Sequence, residues 1–115
     1  AAQEPQRAGI AVIALGHRER DYAVPLVAAL RALDEAPPIT MDYHDAKIAA
    51  HLKRADRANA RAAIIIGEQE LETHTLTLRD LVQRTQESLD EGETLGHTAR
   101  RILERYALLC GGVTA

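Results

Sequence analysis

The chain has 115 residues, with 14 Lys plus Arg against 17 Asp plus Glu and a formal net charge of −3. That balance lacks the basic excess expected of a nucleic-acid binder, and three Tyr with no Phe and no Trp leave little to stack on bases. The length fits one domain, no apolar run nears the ~20 residues that a membrane span needs, and the single Cys110 permits no internal disulfide, which together point to a cytosolic, cytoplasmic globular protein.

Residues 1–9 are polar and read as a linker or domain edge, ahead of one α/β domain over 10–110 and a tail over 111–115. The continuous apolar run Ile10–Leu15, closed by Gly16, has the pattern of a strand buried on both faces. From Asp21, a candidate N-cap, Tyr22, Leu26, Leu30 and Leu33 recur at helical spacing, which leaves Pro25 in or just beyond the first turn. Pro37 and Pro38 end that connection. Ile39–Tyr43 is a second strand, and a second helix runs from the candidate cap Asp45 to about Asn59 with Ile48, Leu52 and Ala55 inward. Ala62–Ile66 repeats the first strand's pattern and ends at Gly67, so two crossovers imply a parallel three-strand unit with right-handed connections. Glu68–Glu72 has two readings, a solvated acidic turn or, through Glu68, Glu70 and Glu72, groups for acid/base work. From Thr73 to Arg79 the chain alternates, with His74, Leu76 and Leu78 on one side and Thr75, Thr77 and Arg79 on the other; Val82–Gln86 returns as an edge strand after a turn at Asp80. A last helix over about Glu93–Leu109 carries the stripe Leu95, Ala99, Ile102, Tyr106 and Leu109 and stops at Gly111-Gly112.

Several chemistries find no support. The residues after Gly16 are His17-Arg18-Glu19-Arg20, without the glycines that cradle a pyrophosphate. The five histidines, at 17, 44, 51, 74 and 97, show no metal-ligand spacing, and His74 reads as a half-buried residue of the alternating strand. Ser88, the sole serine, falls in a loop without a nucleophile-elbow context, and Cys110 reads as an inert thiol near a helix end. Neither a catalytic residue nor a metal ligand is assigned.

The charge distribution is more informative than its sum. Residues 47–61 hold Lys47, Lys53, Arg54, Arg57 and Arg61 against Asp56 alone, a local +4, so the remainder of the chain is −7. On a helix, Lys47, His51 and Arg54 share one row while Lys53 and Arg57 lie on the next, opposite Ile48, Leu52 and Ala55. Two readings fit: a cationic face that meets phosphates, or the solvated face of an amphipathic helix. The carboxyl ends of the parallel strands, at His17-Arg18, Tyr43-His44 and Gly67-Glu68, mark the crevice where ligands collect in open sheets; Tyr43 and His44 there suit stacking on an unpaired base. A small-molecule pocket near Tyr43 and Gly67 is a further reading of the same edge.

The order strand, helix, strand, basic helix, strand and hairpin resembles the C-terminal anticodon-binding domain of class II aminoacyl-tRNA synthetases, with the histidyl enzymes the nearest match. The resemblance is carried above all by Leu52–Leu71 followed by Thr75-Leu-Thr-Leu-Arg-Asp-Leu81, and its most specific part runs from Lys53-Arg-Ala-Asp-Arg57 through Gly67-Glu-Gln-Glu-Leu71. The resemblance implies a three-layer α/β/α domain with a five-stranded mixed sheet and three helices that binds the anticodon loop of a tRNA. By the same resemblance Lys53 and Arg57 match basic positions of the second helix, and Glu70 and Arg79 match an acid and an arginine that reach anticodon bases. Glu70 would accept from base amino groups and Arg79 would offer its planar donor fork. The expected RNA-binding set is therefore Tyr43, His44, Lys47, Lys53, Arg54, Arg57, Glu70 and Arg79. Ala49, Ala50 and His51 depart from the family's usual lysine pair and glutamine. The resemblance further implies that aminoacylation, with its ATP and Mg²⁺, belongs to a separate upstream catalytic domain of a homodimeric parent ligase, so that this chain uses no cofactor and catalyses nothing by itself. The rival expectation is a diverged paralogue domain that serves as a regulatory or protein-interaction module without tRNA.

Overall fold

The computed structural model describes residues 7–42 and 47–110. β1 (Ile10–Ala14) leads into α1 (His17–Arg31), β2 (Ile39–Asp42) precedes α2 (Ile48–Arg57), and β3 (Ala62–Ile66) runs into the short α3 (Glu68–Thr73). A hairpin of β4 (Thr75–Asp80) and β5 (Thr85–Asp90) is followed by α4 (Leu95–Leu109). The strands make one mixed sheet in the order β2-β1-β3-β4-β5, with β1 parallel to both β2 and β3 and the β3-β4 and β4-β5 pairs antiparallel. The five-stranded α/β architecture is the expected one, with four helices where three were expected.

Strand burial reports how the layers are stacked. All five residues of β1 and of β3 are buried, because both faces of these central strands are covered. On one face Ile10, Val12, Ile64, Ile66, Leu76 and Leu78 pack against Ala23, Leu26 and Leu30 of α1 and Ala99, Ile102 and Tyr106 of α4. On the other, α2 sets Ala55 against Ala11 and Ala60, while Leu52 flanks Ile13, Ala63 and Ile65. That second cover stops short of the hairpin. β4 alternates half-buried and buried, and β5 is largely exposed, so Thr75, Thr77 and Arg79 stand on a sheet face that α2 leaves uncovered.

Several local expectations are corrected. α1 begins one turn earlier than Asp21, at His17 with Gly16 in the cap position, which places Pro25 inside the helix. Pro25 is solvent-exposed, so water can serve the carbonyl that its missing N–H leaves open. Lys47 occupies the N-cap position of α2, whereas Tyr43, His44 and Asp45 lie outside the described residues. The inward face of α2 is also rotated: His51 and Ala55 are buried, Leu52 is partly buried, and Ile48 is 39% exposed. Alanines at 11, 55 and 60 bring the helix close to the sheet along one line, and the ring of His51 lies on that line with a carboxylate partner.

The acidic segment Glu68–Glu72 is helical. Glu70, its third residue, reaches back so that Oε1 accepts the N–H of the cap residue Gly67 at 2.8 Å, one half of a capping box. A side chain at Gly67 would crowd that contact, since a Cβ would stand 2.9 Å from Glu70 Oε1. His74 closes α3 in the left-handed conformation (φ 56°) and is exposed, so it is not a half-buried strand residue. β5 starts at Thr85, not Val82, because residues 81–84 form the turn; Ser88 therefore sits in a strand, paired with Thr77. Among the described residues no helix is long and apolar enough to cross a membrane.

Candidate nucleic-acid interface

Where α2 ends its cover of the sheet, a cleft of about 320 Å³ opens between the helix and the hairpin. Ala49, Leu52 and Leu81 give it an apolar lining, and Lys53, Asp56, Arg79 and Arg84 bring charge to it. Lys53 is exposed on α2, and among the described residues it has no ion-pair or hydrogen-bond partner. Arg79 lies on the uncovered face of β4, where Nη1 donates to Gln86 Oε1 at 3.1 Å across the β4–β5 pair. That bond steadies the guanidinium while its other N–H groups remain available to a ligand.

Arg84 is the residue that sequence reasoning missed. It sits in the β4–β5 turn with φ 59°, its backbone N–H donating to Asp80 O at 2.8 Å. The turn is fixed from below by Asp80, whose Oδ1 accepts from the N–H groups of Val82 (2.9 Å) and Gln83 (3.2 Å). Asp80 is itself buried and takes a hydrogen bond from Arg61 Nη2 at 3.2 Å. The sequence signal was an arginine four residues beyond a turn-forming aspartate, but its aim into the cleft depends on a register that the early placement of β5 missed.

Glu70 stands on the same sheet face. Its Oε2 accepts from Thr77 Oγ1 at 3.0 Å, and Thr77 is two residues before Arg79 on β4. Glu70, Thr77, Arg79 and the cleft thus follow one line along the strand. This line starts near the carboxyl end of β3 but extends toward its other end, since Arg79 registers with Ala63. The cleft lies over the sheet face, because α2 does not extend across the hairpin half of that face.

The remaining expected residues divide. Arg57 and Lys47 are exposed at opposite ends of α2. Arg54 turns away from the cleft, with Nε donating to Asp42 Oδ2 at 2.8 Å. His51 Nδ1 approaches the same oxygen at 2.8 Å. Arg54 Nη2 lies 3.2 Å from the same nitrogen, so Nδ1 donates to the carboxylate when it carries the proton and accepts from the guanidinium when it does not. Asp42, His51 and Arg54 line a second cavity of about 250 Å³ between β2 and α2, formed with Ala11, Ile13, Met41 and Ala55 among others. Neither of these cavities includes Gly67. Tyr43 and His44 fall outside the described residues. Among the described residues no group of three or more His, Cys, Asp or Glu gathers in a metal-binding arrangement.

A family model described as "Anticodon binding domain" matches residues 9–98. The histidine--tRNA ligase of Anoxybacillus flavithermus is 36% identical over 86 residues, 75% of this chain and 20% of the relative. That of Sorangium cellulosum is 35% identical over 88 residues, 76% and 20% of the two chains. Among solved structures, apo histidyl-tRNA synthetase of S. aureus superposes with a TM-score of 0.66 at 27% identity, over 78% of this chain and 26% of that one. The histidyl-tRNA synthetase of Nostoc sp. PCC 7120, at 19% identity and a TM-score of 0.70 over 88% of this chain and 23% of that one, shares the fold. The chain spans about a fifth of the length of the curated relatives it matches. A five-stranded mixed sheet, the match over residues 9–98 and relatives above 30% identity together make this chain a member of the anticodon-binding-domain family, of the kind found in histidyl-tRNA synthetases.

Proposed function

We propose that this chain binds the anticodon loop of a tRNA and is not catalytic by itself, serving a histidine--tRNA ligase whose ATP- and Mg²⁺-dependent chemistry resides in another domain. The observation that carries the reading is the cleft in which Lys53, Arg79 and Arg84 converge on an uncovered sheet face, continuous with Glu70. Single-stranded RNA loops are read by splaying bases against such a surface while cations hold the phosphates. Lys53 and Arg57 meet phosphates in this reading. Arg79 and Arg84 present donor forks to a base edge or phosphate, and Glu70 accepts from base amino groups. With three Tyr as the only aromatics, the base contacts depend on hydrogen bonds more than on stacking. Tyr43, His44 and Lys47 extend the same RNA-facing set. Arg54, bound to Asp42, acts by holding α2 to β2. The whole protein, on this reading, is a homodimeric ligase of the cytoplasm.

Titration with a tRNA-His anticodon stem-loop at two salt concentrations tests it. Binding should weaken as salt rises, and Lys53→Ala should lower the slope of log K against log salt by about 0.7, the value for one phosphate contact on a single strand. Absence of binding at tens of micromolar, or binding indifferent to the anticodon sequence, refutes the reading and favours a regulatory or protein-interaction module.

A further inference from the structure

Asp56 is the only acid within residues 47–61, and it borders the cleft together with Lys53, three residues before it on α2. Two features make it an unexpected neighbour. A carboxylate in the last turn of a helix faces the negative end of the helix dipole. At that spacing on an exposed helix it also lies within reach of the lysine ammonium, and the resulting pair would occupy a cation of the cleft.

Asp56 is engaged elsewhere. Its Oδ1 accepts from Arg7 Nη2 at 2.6 Å, while Arg7 Nη1 donates to the carbonyl of Ala60 at 3.2 Å. The backbone around Arg7 is anchored so that the guanidinium is delivered to this place: Ala8 N–H donates to Asn59 O at 3.1 Å, and Gly9 N–H to Tyr106 Oη at 2.8 Å. Gly9 itself has φ 106°, a conformation open to glycine, and it lies close against Pro38.

We infer that Arg7 keeps the cleft cationic by holding the Asp56 carboxylate away from Lys53, so that the course of the segment before β1 tunes the affinity of the α2 face for RNA phosphates. This inference rests on the RNA-binding reading above and adds Arg7 as a positioning residue that acts through Asp56. It makes the effect of Arg7 conditional on Asp56, which a plain surface charge would not be.

The test compares the 115-residue wild type with Arg7→Ala, Asp56→Asn and the double variant, each confirmed folded by its thermal melt. Two readouts are taken at low salt: affinity for the tRNA-His anticodon stem-loop, and the reactivity of the Lys53 amine toward an acylating reagent, mapped by mass spectrometry. Arg7→Ala should weaken RNA binding by about two- to five-fold, the range for an exposed ion pair, and lower the Lys53 reactivity. The double variant should match Asp56→Asn in both. Equal losses in the two backgrounds, or an unchanged Lys53 reactivity in Arg7→Ala, overturn the inference. A wild type that fails to bind RNA removes the RNA reading, whereas the Lys53 reactivities still decide whether Arg7 controls the pairing.

Discussion

The carboxylate of Glu70 is held from both sides, Oε1 by the N–H of Gly67 at 2.8 Å and Oε2 by the hydroxyl of Thr77 at 3.0 Å. One side chain therefore caps α3 and fastens that helix to β4, the strand that carries Arg79. Replacing it should act on the fold before it acts on RNA. Glu70→Ala is expected to cost about 1–2 kcal/mol, the loss of a cap and a partly buried hydrogen bond, whereas Glu70→Gln keeps an acceptor for Gly67 and most of the stability. Urea melts beside RNA titrations separate the two roles, because a base contact requires Glu70→Gln to lose affinity while remaining folded.

Arg84 offers a cleaner separation. Its left-handed backbone is strained for a residue with a side chain, and glycine adopts it freely. Arg84→Gly is expected to leave stability unchanged or raise it by up to about 1 kcal/mol, and to weaken stem-loop binding by about three- to ten-fold. An affinity equal to that of wild type in this variant would take Arg84 out of the RNA-binding set.

The His51–Asp42 contact ties α2 to the end of β2, with His51 only 1% exposed. His51→Ala empties that space and removes a hydrogen-bond partner from Asp42. The expected loss is about 2–4 kcal/mol in chemical denaturation, with a larger effect than Lys53→Ala, whose side chain touches nothing it must support. Equal stability of the two variants would show the contact to be dispensable.

Two phenols set the alkaline limit. Burial, and after it the hydrogen bond with Glu91, holds the Tyr22 hydroxyl well above its ordinary value, and burial likewise raises Tyr106, whose oxygen accepts the Gly9 N–H. A raised folded-state value means that the native protein keeps protons that the unfolded chain releases. The contribution is complete below the unfolded value of 10.0 and is lost as pH rises above it. Stability should therefore fall with pH above about 10, with tyrosinate absorbance appearing together with unfolding. Tyr22→Phe should flatten that decline; an unchanged alkaline limb would remove Tyr22 as its source.

Much of the architecture was decided by patterns local to the sequence. The runs Ile10–Ala14 and Ala62–Ile66 are apolar at every position, and only a strand covered on both faces can use that; Thr75–Asp80 alternates because one of its own faces lies beyond the cover of α2. The concentration of cations in residues 47–61 was equally local, and it overturns what a net charge of −3 suggests about RNA. Tertiary structure decided which of those cations are available. His51 went inward and Arg54 to Asp42, since close packing of α2 on alanines selects a buried row that helical spacing does not distinguish from its neighbours. Lys53, Arg79 and Arg84 come from a helix, a strand and a turn, and they meet at one cleft only because α2 leaves the hairpin face uncovered. Sequence determined the charge and the strands; the distances that turn charge into a site are long-range contacts, and no local pattern encodes those.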